Sequence, residues 1–167
     1  ALPISYFGGV NYFNPEYEIY TRYSYSSNEK KGLSNPVVGR TIEDKDGNLW
    51  IGTEGGGLNY YNRRTREFKW YRPQEGRNSI SHNNVKALYY DADKEIIWIG
   101  THLGGLNKLD IRSGHFTHYR MEEGNPNTLP SDIIRDIIPY KSLLIIATQN
   151  GVCLFDPANG QCQQQIG

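Results

Sequence analysis

Trp50-Ile51-Gly52-Thr53-Glu54-Gly55-Gly56-Gly57-Leu58 returns 48 residues later as Trp98-Ile99-Gly100-Thr101-His102-Leu103-Gly104-Gly105-Leu106. A fixed period of this size marks a repeat architecture, in which one supersecondary unit is stacked on copies of itself. The string carries no catalytic constellation.

Working outward, each full repeat holds four extended runs. In the first, Val37–Glu43 is followed by the turn Asp44-Lys45-Asp46-Gly47, and Asp-Gly between apolar runs is a strong hairpin signal. The other strands are Asn48–Thr53, Gly57–Asn62 and Glu67–Tyr71. The next repeat follows suit with Val85–Tyr90, Ile96–Thr101, Gly105–Asp110 and His115–Tyr119. The last is degenerate: Ile133–Ile138, Leu143–Thr148, Gly151–Asp156 and Gln161–Gln165, with Ile145-Ile146-Ala147-Thr148 in place of Trp-Ile-Gly-Thr. Before each first strand runs a polar loop with one inward apolar residue, Leu33, Ile80 or Leu129. Phe7–Asn14 aligns with Gly55–Asn62, and Tyr17–Tyr23 reads as the strand after it, so the chain is expected to start at the third strand of a repeat.

Side chains alternate along the second strand. Trp50 and Gly52 point one way; Leu49, Ile51 and Thr53 point the other. Both faces carry apolar bulk, whereas a sheet covered on one side shows polar residues on its second face. Each sheet is therefore sandwiched between two others. Repeated four-stranded antiparallel sheets stacked this way describe an all-β fold of β-propeller blades. Gly52, Gly100 and Ala147 recur where a large side chain of the adjacent blade is expected to come close. The expected units are the last strands of a partial blade in 1–24, complete blades in 33–75 and 80–121, and a degenerate blade in 129–167. That is about three and a half blades, short of the smallest usual closed ring. A remainder of the propeller, or a second copy of the chain, is expected to cover the open ends.

Composition sets the limits. The 18 Lys+Arg balance 18 Asp+Glu, so there is no electrostatic footprint for nucleic acid or a membrane surface. The short Arg63-Arg64-Thr65-Arg66 cluster reads as a solvated turn. No apolar run reaches the length of a membrane span. There is neither an initiator Met nor a signal-peptide pattern at Ala1, and the sequence reads as a mature or excised segment. Cys153 and Cys162 can lie on neighbouring strands of one hairpin, either bridged or as two buried thiols.

No nucleophile elbow, zinc-protease helix or phosphate-binding loop is present. His115 and His118 are three apart on a strand and face opposite ways, a poor metal pair, and Asp44–Gly47 lacks the later ligands of a calcium loop. No cofactor and no catalytic residue are expected. With strands alternating, two sets of loops share one face. They hold Asn35 and His82-Asn83, with Asp132, before the first strands, and Glu54, His102 and Gln149-Asn150 after the second strands. The second set varies on a repeated frame, as a ligand-binding face would, although solvated loops would vary as freely. Tyr60 and Tyr61 could stack on a sugar or fill the space between blades.

Leu33–Val37, Glu43-Asp44-Lys45-Asp46-Gly47-Asn48-Leu49-Trp50-Ile51-Gly52-Thr53 and Gly56-Gly57-Leu58-Asn59 resemble the two-component regulator propeller repeat. The last repeat departs from that pattern. The resemblance implies seven-bladed propellers in the periplasmic ectodomain of an inner-membrane hybrid two-component sensor histidine kinase. It implies a homodimer, an oligosaccharide ligand derived from a polysaccharide, and a chain that contributes to sensing and carries no enzyme activity of its own. Streptogramin-lyase-like propellers share a comparable repeat with catalytic His and Glu on one face, where His82, His102 and Glu54 would stand. A protein-interaction scaffold is the third reading.

Overall fold

The computed structural model describes residues 3–6, 9–14 and 19–166. Four antiparallel meanders follow one another along the chain. The first has three strands: β1 (Pro3–Tyr6), β2 (Gly9–Asn14) and β3 (Ile19–Tyr23). The second is β4 (Val38–Glu43), β5 (Leu49–Thr53), β6 (Leu58–Asn62) and β7 (Glu67–Tyr71). The third is β8 (Val85–Asp91), β9 (Ile96–Thr101), β10 (Leu106–Asp110) and β11 (Phe116–Tyr119). The fourth is β12 (Ile134–Tyr140), β13 (Leu143–Thr148), β14 (Gly151–Asp156) and β15 (Gln161–Ile166). We call these blades 1 to 4. The arc of β-propeller blades is open, and from β4 onward the strand limits differ from expectation by at most two residues, while Phe7, Gly8, Tyr17 and Glu18 of the expected earlier strands lie outside the described residues.

One expectation is corrected. The chain starts at a second strand, because β1 pairs with β2 from Pro3↔Tyr12 to Tyr6↔Gly9. Ser5 opposite Val10 takes the place of Gly52 opposite Leu58. Pro3-Ile4-Ser5-Tyr6 shares only one residue with Trp-Ile-Gly-Thr, so the repeat was invisible there.

Both faces of every inner sheet are buried, as the alternation demanded. Leu49 and Ile51 pack with Val10 and Leu33, between blades 1 and 2. Trp50 and Leu58 pack with Ile80, Val85 and Leu88, between blades 2 and 3. Trp98 and Leu106 pack with Ile134, Ile146 and Phe155, between blades 3 and 4. Aromatic rings mark each seam at one repeated place. The Tyr ending a fourth strand reaches the next blade: Tyr23 lies 4.5 Å from Tyr61, Tyr71 lies 5.9 Å from Phe116, and Tyr119 lies 4.9 Å from Phe155.

Gly52 and Gly100 sit where the next blade's first strand closes in. A Cβ on Gly52 would lie 2.6 Å from Val85 Cγ1, and one on Gly100 would lie 2.5 Å from Ile134 Cγ2 and 2.9 Å from its Cβ. Gly100→Ala is accordingly expected to force the blades apart and cost about 1 to 3 kcal/mol. A urea midpoint equal to that of the unaltered protein would refute this.

Polar locks fix the loops to the sheets. Ser34 N–H donates to Asn59 Oδ1 (2.8 Å) while Asn59 Nδ2 donates to Ser34 Oγ (2.6 Å). Ser81 and Asn107 repeat this at 2.9 and 2.6 Å. In blade 4 the equivalent positions are Pro130 and Cys153, which cannot make the exchange. There Cys153 is instead joined to Cys162, both buried. Of the two states the sequence allowed, the bridged one is found. Asp44 organises its hairpin, accepting from Asp46 N, Asn48 N and Trp50 Nε1 at 3.0, 2.9 and 3.1 Å. Its carboxylate is thereby committed to the turn.

Candidate functional site

The loops before the first strands and those after the second strands are hydrogen-bonded to one another. Asn83 O accepts from Gly55 N and Gly57 N (3.2 and 2.7 Å), and Asp132 O accepts from Gly105 N (2.9 Å). Beside them Asn84 O accepts from His102 N and Ile133 O accepts from Gln149 N, both at 2.9 Å. One face of the arc thus carries all of Asn35, Glu54, His82, Asn83, His102, Gln149 and Asn150.

Their roles differ. Asn35 Oδ1 accepts from Val37 N (2.8 Å), and one repeat later His82 Nδ1 accepts from Asn84 N (3.1 Å). Ser131 Oγ does the same for Ile133 N (3.1 Å). These three cap the same turn. Because a backbone N–H can only donate, neutral His82 carries its hydrogen on Nε2. Burial, then the neighbouring His102 and Arg120, hold its imidazole below the usual range. Glu54 pairs with Lys86 of the next blade. His102 Nδ1 is buried with no hydrogen-bond partner among the described residues. Asn83, Gln149 and Asn150 are exposed, with Asn150 N donating to Thr148 Oγ1 at 3.2 Å. Trp50 and Trp98 are closed off inside the seams, and so is Tyr61, while Tyr60 lies 4.6 Å from Trp50.

Sequence reasoning passed over the first strands. Each carries a β-bulge just after its β-branched opening residue: between Val38 and Thr41, Val85 and Ala87, and Ile134 and Asp136. A bulge re-aims side chains and often sits next to functional sites. Here it coincides with a cation in each of blades 2 to 4: Arg40, Lys86 and Arg135. Arg40 reaches past blade 3 to Asp136 at 3.2 Å. The signal was a basic residue within two places of Val38, Val85 and Ile134, hidden because its position shifts by one. Just after the fourth strands come Arg72, bonded to Ser34 O (3.2 Å), and Arg120, which pairs with Asp132 (3.6 Å).

Among the described residues no group of three His, Cys, Asp or Glu converges to hold a metal. His118 Nε2 meets Ser79 O at 2.7 Å, as Trp70 Nε1 meets Gly32 O at 2.9 Å, so both rings tie a loop to an outer strand.

Residues 32–55 and 79–102 match the family model of the two component regulator propeller. Two of the repeats belong to that family. The matched stretches run from each regulator propeller loop through its Trp-Ile-Gly-Thr strand to the variable tip, Glu54 or His102. Among solved structures, the extracellular domain of BT3049 of B. thetaiotaomicron, named as a hybrid two-component system, shares 24% identity at a TM-score of 0.82 over 98% of this chain. The extracellular domain of BT4673 of the same organism shares 23% at 0.74 over 95% of it. PorZ, a surface component of the type-IX secretion system of Porphyromonas gingivalis, shares 19% at 0.68 over 95%. The chain spans only 23%, 22% and 24% of these three structures, and the likeness establishes the β-propeller fold. No curated protein sequence matches the chain.

Proposed function

We propose that the chain is part of the extracytoplasmic sensor region of a hybrid two-component histidine kinase, and that its loop face binds an oligosaccharide released from a polysaccharide. The observation carrying this is the contrast between a repeated regulator propeller frame and tips that fail to repeat: Glu54, His102 and Gln149 occupy one position. A frame held constant while one polar position varies is the pattern expected where side chains contact a ligand. The Cys153–Cys162 bridge suits an oxidising, periplasmic setting. The lyase-like reading gains nothing from the geometry, since His82 commits Nδ1 to a backbone N–H and Glu54 is neutralised by Lys86.

Further polypeptide would complete the ring. The far side of blade 4 presents Ile138 and Tyr140, 46% and 45% exposed, beside half-buried Ile145, Ala147 and Val152. In blade 3 the equivalents of Ile145 and Val152, Trp98 and Leu106, are buried in one cluster with Ile134, which also closes over Gly100. The remainder of the propeller, or a second copy of the protein, would cover this face, and the parent protein would act as a homodimer.

Calorimetric titration of an oligosaccharide panel against the full-length protein tests the sensor reading. Saturable binding of one oligosaccharide at micromolar strength, on the order of 8 kcal/mol, is expected. Silence across the panel together with tight binding to another protein would favour a scaffold.

A further inference from the structure

Between blades 2 and 3, the side chain following the second strand meets the cation on the next blade's bulge: Glu54 pairs with Lys86. Between blades 3 and 4 the same two positions hold His102 and Arg135. The backbone around them is unchanged. Glu54 bridges Asn84 and His102 bridges Ile133, each antiparallel. The bulges fall between Val85 and Ala87, and between Ile134 and Asp136. The register therefore brings Arg135 towards His102 as it brings Lys86 towards Glu54, but the carboxylate has gone.

Nothing nearby replaces it. Arg135 is exposed and makes no hydrogen bond or ion pair among the described residues. The adjacent acid, Asp136, is taken by Arg40 at 3.2 Å. His102 Nδ1 is buried without a partner among the described residues. An imidazole always carries at least one N–H, so His102 remains a hydrogen-bond donor in either tautomer. The other flank is also donor-rich. Arg120 Nη1 bonds Leu103 O at 3.4 Å, and His82 presents Nε2–H. Asp132, the acid on that side, is occupied by Arg120 (3.6 Å) and by Met121 N (2.7 Å).

We propose that an acidic sugar binds here, its carboxylate or sulfate ester lying between Arg135 and His102 in the place that the Glu54 carboxylate holds beside Lys86. The inference rests on the oligosaccharide reading above and narrows it to an anionic ligand. A guanidinium fork donates two parallel N–H···O bonds to either oxyanion, and the imidazole supplies a further donor.

The repeat itself supplies the decisive variant. His102→Glu copies the residue that the preceding blade uses, so the fold is expected to accept it, and its carboxylate would fill the position from within. Digalacturonic acid, galactose 6-sulfate and the neutral disaccharide galactobiose are titrated into the full-length protein, its His102→Glu form and its Arg135→Gln form. At least one acidic sugar is expected to bind on the order of tenfold or more tighter than galactobiose, with the advantage shrinking at high salt. Both variants should lose that advantage, while His102→Glu keeps its thermal midpoint. Whichever acidic sugar binds identifies the oxyanion. Equal affinity for charged and neutral sugars, or an unchanged preference in His102→Glu, overturns the proposal. Binding of galactobiose alone overturns it while leaving the oligosaccharide reading intact, and failure of all three sugars, and of the wider panel, counts against both.

Discussion

Trp50→Ala is expected to lower stability by about 3 to 5 kcal/mol, the range for deleting a fully enclosed large side chain. The ring is 1% exposed and fills the seam between blades 2 and 3. It lies 4.6 Å from Tyr60 and 5.8 Å from Tyr71, and Tyr71 in turn contacts Phe116 of the next blade. Its indole N–H also meets a carboxylate oxygen of Asp44 at 3.1 Å, so truncation would remove a donor from the carboxylate that organises the adjoining hairpin. Trp50→Phe, which keeps much of the volume, should lose considerably less. Denaturant unfolding read by the shift in midpoint decides. A change within about 0.5 kcal/mol is what an exposed sugar platform would give and would remove Trp50 from the core.

Replacing both Cys153 and Cys162 by Ala should cost about 2 to 3 kcal/mol, the chain-entropy value for a loop of this length, since the bridge spans a sequence separation of 9. Blade 4 has little to fall back on. Blades 2 and 3 tie loop to sheet through Ser34–Asn59 and Ser81–Asn107, and they place Phe68 and Phe116 where blade 4 has Cys162. The bridge therefore stands in for a polar lock and an aromatic anchor together. Thermal unfolding under reducing and non-reducing conditions reads the effect. Reductant should lower the midpoint of the unaltered protein and leave the double variant unmoved; equal midpoints throughout would mean the thiols are not joined.

The fold was legible because its signal is doubled. A strand apolar on both faces can only be sandwiched, and a 48-residue echo says by what: another copy of itself. The near-identity of Trp50–Leu58 and Trp98–Leu106 gave the blade, its strands and the destination of Trp50. Gly52 and Gly100 were legible for the same reason, as the small residues in a run of large ones. The first strand, β1, was missed because Pro3–Tyr6 keeps the extended backbone without the residues that advertise it. Cys153 and Cys162 stayed undecided because a spacing fixes no disulfide; it needs the strand pairing that sets Cys162 opposite Phe155, diagonal to Cys153.

The candidate site divides along the same line. Sequence order and alternating strand direction placed Asn35, Glu54, His82, Asn83, His102, Gln149 and Asn150 on one face, since that follows from chain direction alone. Asn35 and His82 cap their own turns, but the role of Glu54 depends on a neighbour in the next blade. Only packing shows that Glu54 is neutralised by Lys86 at a separation of 32 residues, or that Arg40 reaches Asp136 across 96. The bulges are tertiary facts too, because one extra residue in β12 changes nothing in composition yet leaves Arg135 out of the pairing with β13. The sequence by itself determined the repeat, the blade and the variable position, since those rest on local periodicity. The tertiary structure decided which charges meet, because a charge is satisfied or left open only by what the fold brings beside it.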